Sequence, residues 1–143
     1  MATRSKQLVG AALCGLLMLS VGVAHAQEAS DSLAGATPIA ATPFSALTDT
    51  SAATTAGDEP VPSCMFPGGF GGDSVWYRYT PNARTDLRAD TFGSSYDTVL
   101  VVWDGGPAGA EVGCNDDSLG LQSAVTFTAQ AGTAPLQAGR YAG

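Results

Sequence analysis

Histidine and lysine are almost absent: His25 and Lys6 are the sole examples in 143 residues, and both fall within the first 26. Beyond residue 26, four arginines stand against 13 acidic residues, a formal charge of −9. A Ser-His-Asp or Cys-His site needs an imidazole to take the proton from its nucleophile, so neither can be built from the rest of the chain. The imidazole ligands of an ordinary zinc site are missing for the same reason. An acidic surface repels phosphate backbones and anionic lipid, which argues against nucleic acid and membrane partners and favours cations or a basic protein surface.

Long hydrophobic runs are also lacking. Leu8 to Val23 is the longest apolar stretch, but Gly10, Gly15, Ser20 and Gly22 break it, and it falls short of the roughly 20 continuous apolar residues that span a bilayer. With Arg4 and Lys6 before it and Ala24-His25-Ala26 after it, the stretch reads as an export signal, residues 1–26, cleaved before Gln27. The expected destination is secreted or periplasmic, with no membrane attachment after cleavage. Cys14 lies inside the apolar run behind Leu13 and is expected to leave with the signal. Cys64 and Cys114 then remain as an isolated pair, which in an oxidising compartment is most simply a disulfide.

Residues 27–36 are rich in Ala, Ser and Asp and read as a flexible lead-in. The rest shows short β-rich runs between turn clusters, with no sustained helical spacing. Ser74 to Thr80 alternates, placing Val75, Tyr77 and Tyr79 on one face and Trp76 and Arg78 on the other. Asp86 to Thr91 turns Leu87 and Ala89 inward and Asp86, Arg88 and Asp90 outward. Thr98 to Trp103 is apolar without alternation, as befits a central strand covered on both faces, and Ser123 to Ala129 points Val125 and Phe127 inward. The turn clusters are Pro67 to Gly72, Asp104 to Pro107 and Asn115 to Ser118. The expected fold is all-β, an antiparallel β-sandwich of the Greek-key or jelly-roll kind.

Several blocks then occur in a recognisable order. They are Asp73 to Tyr79, Ser95 to Leu100, Cys114-Asn115-Asp116-Asp117, and Ser123 to Phe127 followed by Ala131-Gly132-Thr133, with Pro43-Phe44 and Glu59-Pro60 through Cys64 ahead of them. Together they resemble the bacterial pre-peptidase C-terminal domain, an accessory β-sandwich of secreted peptidases and other exported proteins. The resemblance spans residues 37–143. It implies a non-catalytic module attached to, or working beside, another protein. Where that family runs into an aromatic-rich strand, this chain has Ala134-Pro135-Leu136-Gln137, and it stops at Gly143. Since a proline cannot donate to a sheet ladder, the resemblance implies a domain lacking its last strand, with irregular backbone after Gly132.

The acidic cluster is the one feature with site chemistry. Asn115, Asp116 and Asp117, joined by Asp97 or Asp104 from neighbouring turns, offer the hard oxygen ligands that Ca²⁺ prefers, and some members of the resembling family bind calcium. The competing reading is that Asn115 and Asp116 bond their own backbone in turns, with no metal. Paired carboxylates could also serve as acid and base in a small hydrolase, but neighbours on a strand point to opposite faces. Trp76 and Trp103 could form a sugar-stacking platform, against the simpler reading that large aromatics are buried. The expectation is therefore an accessory or binding module for a protein or polysaccharide ligand, with calcium at the acidic cluster as an option beside the metal-free turns. The alternatives are a carboxylate-based hydrolase and a structural, cation-stabilised surface protein.

Overall fold

The computed structural model describes residues 31–65, 72–105, 108–132 and the backbone of 134–140. The expected export signal, Cys14, the Pro67 to Gly71 turn, and Gly106 and Pro107 of the next turn lie outside the described residues. The chain is all-β. Among the described residues a 3-10 turn at Leu33–Gly35 precedes seven strands: β1 (Thr37–Ile39), β2 (Val75–Tyr79), β3 (Thr85–Asp90), β4 (Thr98–Asp104), β5 (Ala110–Asn115), β6 (Ala124–Ala129) and β7 (Ala134–Arg140). Five strands form one sheet in the order β1-β2-β7-β4-β5, and β3 and β6 pair as a second sheet. All pairings are antiparallel except β1 with β2. Among the described residues no helix is long and apolar enough to cross a membrane.

The alternation read from the sequence decides which face each strand buries. Leu100 and Val102 of β4 meet Val125, Phe127 and Ala129 of β6, with Leu87 and Ala89 of β3 and Tyr77 and Tyr79 of β2 packed around them. This core joins the two sheets. The opposite side of β4 presents Val99, Val101 and Trp103, which pack with Trp76, Ala36 and Met65. Strand β4 is thus apolar on both faces because one is covered by strands and the other by non-strand segments. Cys64 and Cys114 tie that second cover to the edge strand β5, with sulfurs 1.99 Å and Cα atoms 5.6 Å apart.

Residues 31–36 are mostly exposed but make anchoring contacts: Leu33 and Ala36 join the second core cluster, Arg78 Nη2 donates to the Leu33 carbonyl at 2.8 Å, and Thr54 donates from its N–H and hydroxyl to the Asp31 carboxylate. One expectation, of irregular backbone after Gly132, is corrected. Residues 134–140 form a regular strand that pairs with β2 on one side and β4 on the other. Pro135 is accommodated because it is the second residue of β7. It lies opposite Arg78, and the ladder to β4 begins only at Leu136, so the missing donor falls where β7 has a neighbour on one side alone.

Two glycine-dependent features set the geometry of β5. The register with β4 passes from Val102↔Gly113 to Trp103↔Glu111, leaving Val112 as the extra residue of a bulge. Gly113 lets Val125 of the second sheet approach closely, since a Cβ there would lie 2.4 Å from Val125 Cγ1.

Candidate functional site

The β4–β5 hairpin brings Asp97 and Asp116 to the same end of the sheet, because Leu100 pairs with Asn115. Both carboxylates have an Oδ1 atom that is buried and without a hydrogen-bond partner. Burial, followed by the nearby charges of Asp117 and Asp97, holds the Asp116 carboxyl above the usual aspartate range. Carboxylate oxygens are the hard donors that Ca²⁺ prefers. Among the described residues no group of three or more His, Cys, Asp or Glu is set to hold a metal.

The other residues named from sequence fare differently. Asn115 Oδ1 accepts the Ala124 N–H at 2.8 Å and its Nδ2 donates to the Asp117 carbonyl at 3.1 Å, so its amide is already committed to backbone. Asp117 is exposed and acts on Asp116 through its charge. Asp104 ends β4, seven residues from Asp97, about 20 Å along an extended strand, and does not join the cluster. Both tryptophans are buried, and Trp76 Nε1 donates to Glu59 Oε1 at 3.3 Å. Neither presents a face for a sugar.

A buried polar knot fixes the corner. Thr91 Oγ1 and Thr98 Oγ1 lie 2.6 Å apart, and the Ser123 N–H donates to them at 2.9 and 3.2 Å. Ser123 Oγ hydrogen-bonds the carbonyls of Thr98 and Asp116. These contacts hold the loop bearing Asp116 against the start of β4.

The second candidate is a trough of about 1040 Å³ between the sheets. Val75, Tyr77 and Tyr79 of β2 line its floor, Asp86 to Asp90 of β3 one wall, and residues 42–48 the other. Phe44 packs edge-on against Tyr77 with ring centroids 6.0 Å apart, and Thr48 Oγ1 hydrogen-bonds the Tyr77 hydroxyl at 2.5 Å. At the rim, Leu47 is 88% exposed and Phe44 43%. Asp86 and Asp90 are four residues apart on one strand, about 13 Å, too far for the carboxylate pair of a glycosidase. The sequence did not point to this trough, since its walls come from stretches far apart in the chain. The partial exposure of Tyr77 and Tyr79, on a face that alternation assigns to the core, is its one local trace. Comparison of the chain with protein-family models, with curated proteins and with solved structures finds no match.

Proposed function

We propose that this chain is an exported, non-catalytic binding module, a β-sandwich of the pre-peptidase C-terminal type, that takes a protein or polysaccharide ligand in the trough between its sheets. The observation that carries this reading is the trough itself: aromatic at Phe44, Tyr77 and Tyr79, with exposed Leu47 and Phe44 beside hydroxyl and carboxylate groups, and lined by neither histidine nor lysine. Such a surface can hold a ligand by burial and a few polar contacts. It offers no nucleophile with an adjacent base. Export is supported by the amino-terminal sequence and by the Cys64–Cys114 pair.

The test is to produce the full chain by export from a bacterial host and pass it over immobilised envelope polysaccharide and peptide fractions, with peptidase and glycosidase turnover measured in parallel. Retention without turnover is expected, and Ala46→Trp, at an exposed wall position, should abolish it. Turnover that disappears in Asp116→Asn would instead establish the carboxylate hydrolase.

A second reading, calcium stabilisation, is favoured by the two unpartnered carboxylate oxygens. In it, Asp97 and Asp116 hold Ca²⁺, which neutralises a repulsion the fold otherwise carries. Because a ligand bound only to the folded state stabilises it by mass action, millimolar calcium should raise the melting temperature over that in chelator. Asp97→Asn with Asp116→Asn should remove the difference. An equal shift in that variant, or none in the parent, ends this reading.

A further inference from the structure

We propose that the unpaired edge of β3 accepts an extended segment of a partner protein, about six residues of alternating apolar and basic character, which adds a strand to the second sheet and lies over β2. This rests on the trough being the binding surface, and names its ligand class. The lining pattern is the first argument. A strand that meets a cavity with one face contributes alternate residues, as β2 does with Val75, Tyr77 and Tyr79, but β3 contributes the consecutive residues Asp86 to Asp90. The trough therefore runs along the edge of β3. Among the described residues β3 pairs with β6 alone.

Size gives the second argument. Strands lie about 4.8 Å apart within a sheet and sheets about 10 Å apart, so a six-residue strand of about 20 Å occupies roughly 960 Å³. The trough measures about 1040 Å³, and β3 has six residues. The trough as a whole is thus of the size of one further strand.

Charge and protection give the third. Edge strands are commonly guarded by charged side chains, proline, bulges or inward-pointing charges. Strand β3 has no proline, bulge or inward charge, since its register with β6 is unbroken from Thr85 to Asp90 and Leu87 and Ala89 pack on the core; its guard is the exposed charge of Asp86, Arg88 and Asp90, which a strand of complementary charge would match. Arg88 lies over the Phe92 ring at 5.2 Å, with its Nε 3.8 Å from Asp90. The outward face of β3 is thus net acidic, on a chain of net charge −7. Basic side chains on the incoming strand's outer face would sit beside Asp86 and Asp90, while its inner face would cover Tyr77 and Tyr79.

The test uses the full exported chain and a fluorescein-labelled peptide of alternating lysine and valine, read by fluorescence anisotropy at low salt. Comparison peptides replace lysine by glutamate, or carry N-methyl groups on every valine or on every lysine, each of which blocks one edge of the peptide strand. The lysine peptide should bind at least tenfold more tightly than the glutamate peptide. One N-methylated form, not both, should lose at least tenfold, and bound peptide should slow hydrogen exchange at β3 amides. Asp86→Lys with Asp90→Lys should reverse the preference between lysine and glutamate peptides. Absence of binding at millimolar peptide, equal binding of both N-methylated forms, protection at β1 or β5 instead, or sedimentation showing β3 closed by a second copy of the chain would each overturn the proposal. Polysaccharide retention that Ala46→Trp abolishes, with no peptide binding, would overturn the strand ligand and leave the trough standing as a binding surface. Ligand binding indifferent to Ala46→Trp would remove the trough itself.

Discussion

Replacing Gly113 by alanine probes the contact between the two sheets at a single atom. The new Cβ would lie 2.4 Å from Val125 Cγ1 and 3.8 Å from Val125 Cβ. Since carbon atoms rest about 3.5–4.0 Å apart, the overlap with Cγ1 exceeds about 1 Å. Val125 can relieve it by turning about χ1, but a β-branched side chain has few alternative rotamers, and Leu100, Val102 and Phe127 share its core cluster. Otherwise the sheets must part. Overpacking costs about 1–3 kcal/mol, and an overlap above about 1 Å against a stiff side chain belongs at the upper end, about 2–3 kcal/mol. Gly113 does not need a left-handed backbone, so alanine recovers up to about 1 kcal/mol of chain entropy, and the net expectation is about 1–2 kcal/mol of destabilisation. Urea unfolding of the exported chain measures it as a lowered midpoint at constant slope. Val125→Ala removes the clashing methyl, so the double variant should be at least about 1 kcal/mol more stable than the sum of the single effects requires. A Gly113→Ala chain as stable as the parent, or strict additivity with Val125→Ala, would refute this account of how the sheets pack.

Four further outcomes follow from the same structure. Ser123→Ala should cost about 1–3 kcal/mol in urea unfolding, because Ser123 is fully buried and its loss removes the one hydroxyl proton that the Thr98 and Asp116 carbonyls share. Cys64→Ser with Cys114→Ser should lower stability by about 4 kcal/mol on the chain-entropy estimate for a separation of 50 residues, seen in the unreduced protein as an early midpoint. Glu59→Leu should cost about 2–4 kcal/mol by removing acceptors from Trp76 Nε1 and from the buried Ser74 hydroxyl, 2.6 Å from Glu59 Oε2, with a changed tryptophan emission as a second readout. The Asp116 carboxyl binds its proton more tightly folded than unfolded, so stability without calcium should fall as pH rises from about 4 through its raised folded value, and Asp116→Asn should flatten that part of the pH profile and raise stability at pH 7.

Strands β2, β3, β4 and β6 were legible because each carries its own pattern: alternation at Val75 to Tyr79, Asp86 to Asp90 and Val125 to Phe127, and an unbroken apolar run at Val99 to Trp103. Strand β7 was misread because Pro135 and Gly139 are poor strand formers taken alone. Their conformation comes from the neighbours, since β2 and β4 pair along both sides of β7. Strand β5 was missed because Gly113 and the bulge at Val112 interrupt its alternation. Of the acidic cluster, the sequence offered Asn115, Asp116 and Asp117 with either Asp97 or Asp104, and the hairpin register puts Asp97, not Asp104, at the Asp116 end of the sheet. It could not foresee that the Asn115 amide would be spent on the Ala124 and Asp117 backbone. The trough was invisible for a different reason: its lining comes from residues 39–50, β2, β3 and the 91–98 stretch, far apart in the chain, which no local pattern records.

The claim that the trough is where this module meets its ligand is tested most directly by an NMR titration of the isotope-labelled, exported chain with the alternating lysine–valine peptide and with soluble envelope polysaccharide. The account predicts that one of these ligands shifts the amides of residues 42–48, of β2 at Val75 to Tyr79 and of β3 at Asp86 to Asp90, leaving Asp97 and Asp116 unmoved. Shifts confined to Asp97, Asp116 and Asp117, or no shifts from either ligand at saturating concentration, would contradict it.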